Sequence, residues 1–215
     1  MPNTQKEREI TKKGNPSHPR GAEGLQMLTR MNQSHVEVTN WGLSHLAIKH
    51  PKRLLDIGCG GGATLARLLD KYPKAQVLGV DASSLSVKTS KGYNKDSIYK
   101  GKISVLKASV EKLPFDDNQM DGIVTVESFY FWPNPVENLK EVFRVLKTGG
   151  QFLIIADIYD NGQLSKEALE NIAEFQLHNP TKEQFFDYFQ QAGFSYFTFH
   201  TKAETSWACV EGWKA

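Results

Sequence analysis

Two carboxylates and a packed run of glycines carry the chemistry that can be read from this chain. Asp56 lies in the apolar run Leu54-Leu55-Asp56-Ile57, and Gly58-Cys59-Gly60-Gly61-Gly62 follow before Ala63-Thr64-Leu65. A strand that turns on glycines into a helix lets the backbone approach a nucleoside ligand with no Cβ in the way. The spacing Gly58-x-Gly60-x-x-Ala63 also satisfies the dinucleotide pattern G-x-G-x-x-G/A, which would imply NAD or FAD. Three features pull away from that reading. Asp56, two residues before the first glycine, would crowd a pyrophosphate but suits a cationic amine. Gly58, Gly60 and Gly62 recur at every second residue, and a chain of 215 residues is short for a dinucleotide fold followed by a separate catalytic domain.

The second carboxylate follows at a telling distance. Ala75-Gln76-Val77-Leu78-Gly79-Val80 reads as a buried parallel strand that ends in Asp81 and Ala82. An acid at that strand tip is placed to accept hydrogen bonds from ribose hydroxyls. Asp81 before Ser83-Ser84 also reads as a helix N-cap, and the two roles are compatible. Between the two carboxylates, Leu65, Leu68 and Leu69 recur at helical spacing over Thr64 to Tyr72, with Pro73 closing the helix.

With these residues the chain resembles the class I S-adenosylmethionine-dependent methyltransferases, whose first motif reads roughly strand-D-x-G-x-G-x-G. Two later segments carry the same resemblance. Ser109-Val110-Glu111-Lys112-Leu113-Pro114-Phe115 parallels the family wording G-D-A-E-x-L-P-F, with Ser109 where the adenine-binding aspartate would stand. Leu139-Lys140-Glu141-Val142-Phe143-Arg144-Val145-Leu146-Lys147-Thr148-Gly149-Gly150 parallels L-x-E-x-x-R-V-L-K-P-G-G, with Thr148 replacing proline. The resemblance implies S-adenosylmethionine as cofactor, held by Asp56, Gly58, Cys59, Gly60, Gly62, Asp81, Ala82, Ser109, Val110, Glu111 and Glu127. It also implies a Rossmann-like, doubly wound α/β sheet, mostly parallel, with an antiparallel C-terminal strand and a helical N-terminal cap.

The elements that must position these groups can be laid out from apolar spacing. Strands are expected over 102–108, 121–128 and 151–157, with a terminal hairpin over 196–200 and 206–213. A helix is expected over 135–147, ended by Gly149 and Gly150. Leu164 to Phe175 reads as another helix, and Thr181-Lys182-Glu183-Gln184 as a capping box opening one more. The expected organisation is one domain over 1–215: a basic, mobile tail (1–22), a helical cap (23–50), a cofactor-binding core (51–160), and closing helices with the hairpin (161–215).

Methyl transfer from a sulfonium needs positioning of the acceptor more than a fixed set of catalytic side chains. The sequence accordingly leaves the catalytic residues open, with His35 and Tyr130 as candidates. Ser128, Tyr130 and Trp132, just past the fourth strand, are the expected acceptor-pocket residues, while Phe129 and Phe131 read as core. His178 is expected near a helix C-terminus, where a partly charged imidazole is favourable.

Composition bounds the rest. With 40% hydrophobic and 23% charged residues and a net charge of +2, the chain fits one domain with no polyanion partner announced. Scattered histidines and two distant cysteines, Cys59 and Cys209, suggest neither a metal site nor a disulfide framework. No run reaches the length of a membrane span and no signal peptide is evident, so a cytoplasmic protein is expected. Lys88, Lys91, Lys95, Lys100, Lys102, Lys107 and Lys112 form a basic stretch, read as a solvated surface rather than a nucleic-acid edge. The expected partner is a small-molecule acceptor. An RNA or protein acceptor and a non-catalytic regulatory role stand as alternatives, and the oligomeric state is open between monomer and homodimer.

Overall fold

The computed structural model describes residues 5–215. Its strands Arg53–Ile57 (β1), Gln76–Asp81 (β2), Ile103–Lys107 (β3), Met120–Val126 (β4), Leu146–Ala156 (β5), Tyr196–Thr201 (β6) and Ala208–Trp213 (β7) form one sheet. The order is β3-β2-β1-β4-β5-β7-β6, parallel throughout except that β7 runs antiparallel to both β5 and β6. The chain winds outward from β1 to β3 and then returns to the other side of β1 as β4. That reversal opens a crevice at the carboxyl ends of β1 and β4, the place where open α/β sheets bind ligands.

Both faces of the sheet are covered, which is why its central strands read as unbroken apolar runs. Leu55, Ile57, Ile123 and Phe152 pack under Pro135–Val145 (α7) and Lys182–Ala192 (α9), with Leu139, Val142, Phe185 and Phe189 facing them. Leu54, Val77, Val124 and Leu153 pack on the opposite face, against Leu43 of Val36–Ser44 (α3), Leu65 and Leu68 of Ala63–Lys71 (α4), and Val87 of Ser84–Tyr93 (α5). Side chains alternate along a strand, so Asp56 points to the same face as Leu54. The short helix Lys95–Tyr99 (α6) leads into β3. The capping box forms as expected: the Thr181 hydroxyl accepts from Gln184 N–H and the Gln184 side chain accepts from Thr181 N–H.

Two segments depart from the sequence reading. Helix α7 ends at Val145, and Leu146 to Gly150 already belong to β5. Leu146 pairs with Met120, while Gly149 N–H donates to Lys214 O and Lys214 N–H to Gly150 O. These sheet-side partners take the backbone groups that a longer helix would have used. The second departure lies in the expected tail. Gln5–Gly14 is a helix (α1) packed on Gly21–Ser34 (α2), whereas residues 1–4 lie outside the described part. Its basic residues meet acids on Lys166–Phe175 (α8): Arg8 lies 3.3 Å from Glu167 and 3.5 Å from Glu170, and Lys12 lies 2.8 Å from Glu174. Each exposed pair is worth about 1 kcal/mol or less; on the α2 side Thr11 and Gly14 are buried, and Arg30 Nη2 donates to the Thr11 hydroxyl at 2.8 Å. Among the described residues no helix is long and apolar enough to cross a membrane.

Candidate functional site

The turn after β1 is stitched to the tip of β2. Gly58 N–H and Cys59 N–H both donate to Val80 O, at 2.8 and 3.0 Å. Gly60 N–H donates to Asp81 Oδ2 at 2.9 Å, and Ser83 N–H donates to Asp81 Oδ1 at 2.8 Å. Gly58 has φ +75, and a Cβ there would stand 1.9 Å from the Ser128 hydroxyl oxygen. Only glycine lets the end of β4 close onto the turn in this way. Gly60, by contrast, has φ +49 and no atom nearer than 3.7 Å to where its Cβ would be.

Above the turn lies a cleft of about 380 Å³, within the range of roughly 300–1,000 Å³ of small-ligand pockets. Of the cofactor residues expected from sequence, Gly58, Cys59, Gly60, Asp81, Ala82, Ser109, Val110, Glu111 and Glu127 line it. Gly62 and Asp56 do not. Gly62 is the left-handed N-cap of α4 and packs against Ser90 and Asn94. Asp56 is 1% exposed, and neither of its carboxylate oxygens has a hydrogen-bond partner. Burial, and secondarily the Asp81 charge, push its pKa up to about 8. The expected contact of Asp56 with a cationic amine is therefore not formed from the cleft wall; its acid is neutral and lies behind the turn.

Asp81 is the carboxylate that faces the cleft. Burial raises its pKa, while the N–H groups of Ser83 and Gly60 pull it back. The N-cap of α5 is Ser83, whose hydroxyl accepts from Ser86 N–H, so Asp81 is not the cap. At the next strand tip the Ser109 hydroxyl donates to Glu111 Oε2 at 3.0 Å and accepts from Glu111 N–H. Burial, followed by the charges of Asp56 and Asp81, raises the Cys59 thiol well above its usual pKa, which removes it as a nucleophile.

The cleft's other wall comes from the expected helical cap and from residues that the sequence reading left in a mobile tail. Pro16 to Pro19 cross it as a strap, fastened where the Ser83 hydroxyl donates to Pro19 O at 2.8 Å. Met31 and Asn32 of α2 add to this wall, with Asn32 Nδ2 donating to Gly61 O at 3.0 Å. Arg67 on α4 also lines the cleft.

The end of β4 builds a second, smaller space. Glu127 takes a left-handed backbone, φ +53, and a single 3₁₀ turn Phe129–Phe131 follows. Phe129 is buried against Phe185 and Trp132, whereas Phe131, expected in the core, faces the cleft. Ser128 and Trp132 line the cleft, but Tyr130 does not. Tyr130 turns under it, its hydroxyl 3.2 Å from Asp157 Oδ1 and 3.4 Å from both Glu127 Oε1 and Ile158 O. Asp157 N–H donates to Glu127 Oε1 at 2.5 Å. His35, between α2 and α3, brings a ring nitrogen to within 4.8 Å of a carboxylate oxygen of each acid. These three side chains could share a metal ion, a grouping that the sequence reading did not foresee. They border a cavity of about 50 Å³ whose walls include Met31, Phe131, Phe175 and Leu177.

Electrostatics mark this corner. Burial, then Asp157, hold the Glu127 carboxyl well above the usual range. Burial, then Glu127 and Asp157, raise the Tyr130 phenol. Burial drives His35 down to about 4 against the pull of Asp157, so its imidazole is neutral at pH 7. His178 lies just past α8, but burial lowers its pKa and its Nε2 has no partner; it is not the charged helix-end residue expected. None of the seven lysines of the basic stretch lines the cleft or this cavity.

Known proteins resemble this chain in sequence and in fold. Residues 55–154 match the family described as "Methyltransferase domain". A cycloartenol-C-24-methyltransferase of Oryza sativa subsp. japonica is 31% identical over 138 residues, which are 62% of this chain and 39% of that protein. A chloroplastic 2-methyl-6-phytyl-1,4-hydroquinone methyltransferase of the same organism is 28% identical over 66% of this chain and 38% of its own length. The chain thus spans less than half the length of these curated relatives. Among solved structures, geranyl diphosphate C-methyltransferase from Streptomyces coelicolor A3(2), in complex with Mg2+, geranyl diphosphate and S-adenosyl-L-homocysteine, superposes with a TM-score of 0.72 at 14% identity, covering 100% of both chains. An N-methyltransferase of Haemonchus contortus, in complex with phosphomonomethylethanolamine and S-adenosylhomocysteine, superposes with a TM-score of 0.76 at 15% identity, covering 97% of this chain and 60% of that one.

Proposed function

We propose that this chain, whose residues 55–154 match the methyltransferase-domain family, is a class I S-adenosylmethionine-dependent methyltransferase that transfers a methyl group by in-line displacement to a small-molecule acceptor. The observation that carries the reading is the cleft itself. A glycine turn with no side chain in the way, a ribose-competent carboxylate at Asp81 and a guanidinium at Arg67 line one space at the switch point of the sheet.

S-adenosylmethionine, when bound, supplies a methyl group already activated by the positive charge on its sulfur. The chain's own residues then have three tasks. Asp81 accepts from ribose hydroxyls with the lone pairs not taken by Gly60 and Ser83. Ser109, Val110 and Ala82 bound the adenine end, where a serine hydroxyl and backbone groups replace the aspartate of the family motif. Arg67 and the turn hold the amino-acid end. The strap Pro16–Pro19 and helix α2 exclude water and hold the acceptor against the cleft, a proximity effect worth several kcal/mol, up to roughly 7–11 in ideal cases.

The small size of the second cavity supports a metabolite rather than a macromolecule as acceptor, and the lysine-free walls argue against a phosphate backbone. Free and buried Cys59 and Cys209 support a reducing, cytoplasmic setting. The test is incubation of the purified protein with methyl-labelled S-adenosylmethionine and a cell metabolite extract, read by mass spectrometry. Label in a small metabolite is expected. Label in RNA or protein alone, or no transfer despite tight cofactor binding, would overturn the substrate or the activity respectively.

A further inference from the structure

The β3 edge of the sheet gathers positive charge that the fold itself does not use. Residues 84–112, which run through α5, α6 and β3, hold seven lysines, no arginine, and only Asp96 and Glu111 as acids. This span carries a net +5 while the whole chain carries +2, which leaves the remainder at −3. All seven lysines are exposed, and among the described residues none of them donates a hydrogen bond or makes an ion pair. Elsewhere Lys12, Lys140, Lys147 and Lys166 each stand within 3.9 Å of an acid.

We propose that this edge docks on an anionic lipid surface, so that the chain binds a membrane peripherally without spanning it. Charge complementarity is one half of the argument, because clustered lysines are drawn to the negative headgroups of a bilayer. Exposed apolar surface in the same place is the other half. Tyr99 is 93% exposed, Tyr93 57% and Leu106 41%, and these are three of the six large apolar side chains left in solvent among the described residues. Tyrosine, with an apolar ring and a polar tip, suits the layer between headgroups and acyl chains. Lysine lays its stem along apolar surface while its ammonium reaches phosphate. The fold puts these groups on one side of the molecule: β3 is the outermost strand, bonded only to β2, and α5 and α6 pack against it.

Two other uses of the lysines fit the structure less well. Charge that blunts an open strand edge accounts for Lys102 and Lys107, which stand at the two ends of β3. It does not account for Lys88 and Lys91 on the outer side of α5, for Lys95 on α6, or for a tyrosine ring left almost wholly in solvent. A nucleic-acid partner would draw on arginine, whose planar fork matches phosphate, and the span has none. Nor does any of the seven lysines line the cleft, where the backbone of a nucleic-acid acceptor would need them. Ser109 and Glu111, which belong to the same span, do line it, so the docked edge adjoins the cleft. Docking itself requires no methyl transfer and holds for the ligand-free chain.

The test is co-sedimentation of the full chain with vesicles of phosphatidylcholine alone and of seven parts phosphatidylcholine to three parts phosphatidylglycerol. Each lysine near an anionic surface is worth about fivefold in binding, so a preference of about tenfold or more for the anionic vesicles is expected. Reversing two charges, Lys100→Glu with Lys102→Glu, should remove about tenfold or more of that binding. The same change of net charge on α1, Lys6→Glu with Lys13→Glu, should remove much less. Tyr99→Ser should weaken binding at unchanged charge. Equal binding to both kinds of vesicle overturns the proposal, and that comparison needs no variant to fold. Equal losses in the two lysine pairs, or no effect of Tyr99→Ser, would reduce the attraction to net charge and overturn it as well. Tighter binding of a single-stranded RNA oligonucleotide, at equal phosphate concentration, would give the edge to nucleic acid instead.

Discussion

Replacing Asp56 by asparagine tests the electrostatics beneath the glycine turn. Burial, reinforced by Asp81, raises the Asp56 pKa from 3.8 to about 8. In the folded state the acid therefore keeps a proton that the unfolded chain loses, across the window from about pH 4 to pH 8. The folded state binds more protons there, so stability falls as pH rises, by about 1.4 kcal/mol per pH unit for this one group. Between pH 5 and pH 7 the loss attributable to Asp56 is about 2.7 kcal/mol. With the side chain 1% exposed, solvent does not screen it. Asparagine is close in shape to the protonated acid and does not titrate. Urea unfolding of the ligand-free parent and of Asp56→Asn, followed by tryptophan fluorescence at pH 5, 6 and 7, should show the variant gaining on the parent by about that amount. All other titrating groups are common to both proteins and cancel in the difference. Parallel pH profiles would refute the reasoning, because they would mean that Asp56 ionises in the folded protein as freely as in the unfolded one.

Other perturbations separate the roles of neighbouring residues. Asp81→Asn should weaken S-adenosylhomocysteine binding by about 10- to 100-fold, the worth of hydrogen bonds to a charged group, with an unchanged circular dichroism spectrum. Asp56→Asn should weaken it less, since that acid lies behind the cleft wall; calorimetry ranking the two in the opposite order would contradict the site geometry. Gly58→Ala places a methyl 1.9 Å from the Ser128 hydroxyl oxygen at φ +75 and should cost several kcal/mol in thermal unfolding, of which about 1–2 is backbone strain. Adding Ser128→Gly should recover the remainder, and no recovery would show that the contact is not the cause. Trp132→Ala should cost about 3–5 kcal/mol, because the ring is 5% exposed and packs 5.1 Å from Phe129 and 6.4 Å from Phe152. A loss below about 1 kcal/mol in calorimetry would place that ring outside the core.

The cofactor half of the site was legible because it is local. A strand, a glycine turn and a helix lie within twenty residues of Asp56, and the acid at the tip of β2 follows from the same βα repeat. What the spacing could not say was which way Asp56 points. Strand alternation was sufficient to raise the question, since Leu55 and Ile57 pack under α7 and α9 and Asp56 must face away from them. The identity of the α5 cap was a contest between two adjacent acceptors. Ser83 won it by reaching Ser86 N–H, and Asp81 then took the N–H of Ser83. Helix α1 escaped notice because its sequence is mostly charged. What holds it is ion pairing with α8, more than 150 residues away, and contact with α2, neither of which a local pattern records. Leu146 to Gly150 followed the rule for a helix end until Lys214, the residue after β7, offered Gly149 a partner.

The corner around the smaller cavity was not legible, and the reason is structural. Its groups come from the loop after α2, the end of β4 and the end of β5, so that His35, Glu127 and Asp157 meet only after the sheet has formed. Tyr130 was expected in the acceptor pocket, but it turns under the cleft, in a direction that depends on a single 3₁₀ turn and on the left-handed backbone of Glu127. A non-glycine residue held there costs about 1–3 kcal/mol, and nothing in Glu127-Ser128-Phe129 announces it. The Tyr130 hydroxyl, Asp157 N–H and the packing of Phe129 together hold that conformation. A cofactor-binding turn can therefore be inherited as a short motif, whereas the acceptor is chosen by how distant strand ends and a capping helix converge. Two chains with the same glycine turn can in this way methylate unrelated molecules.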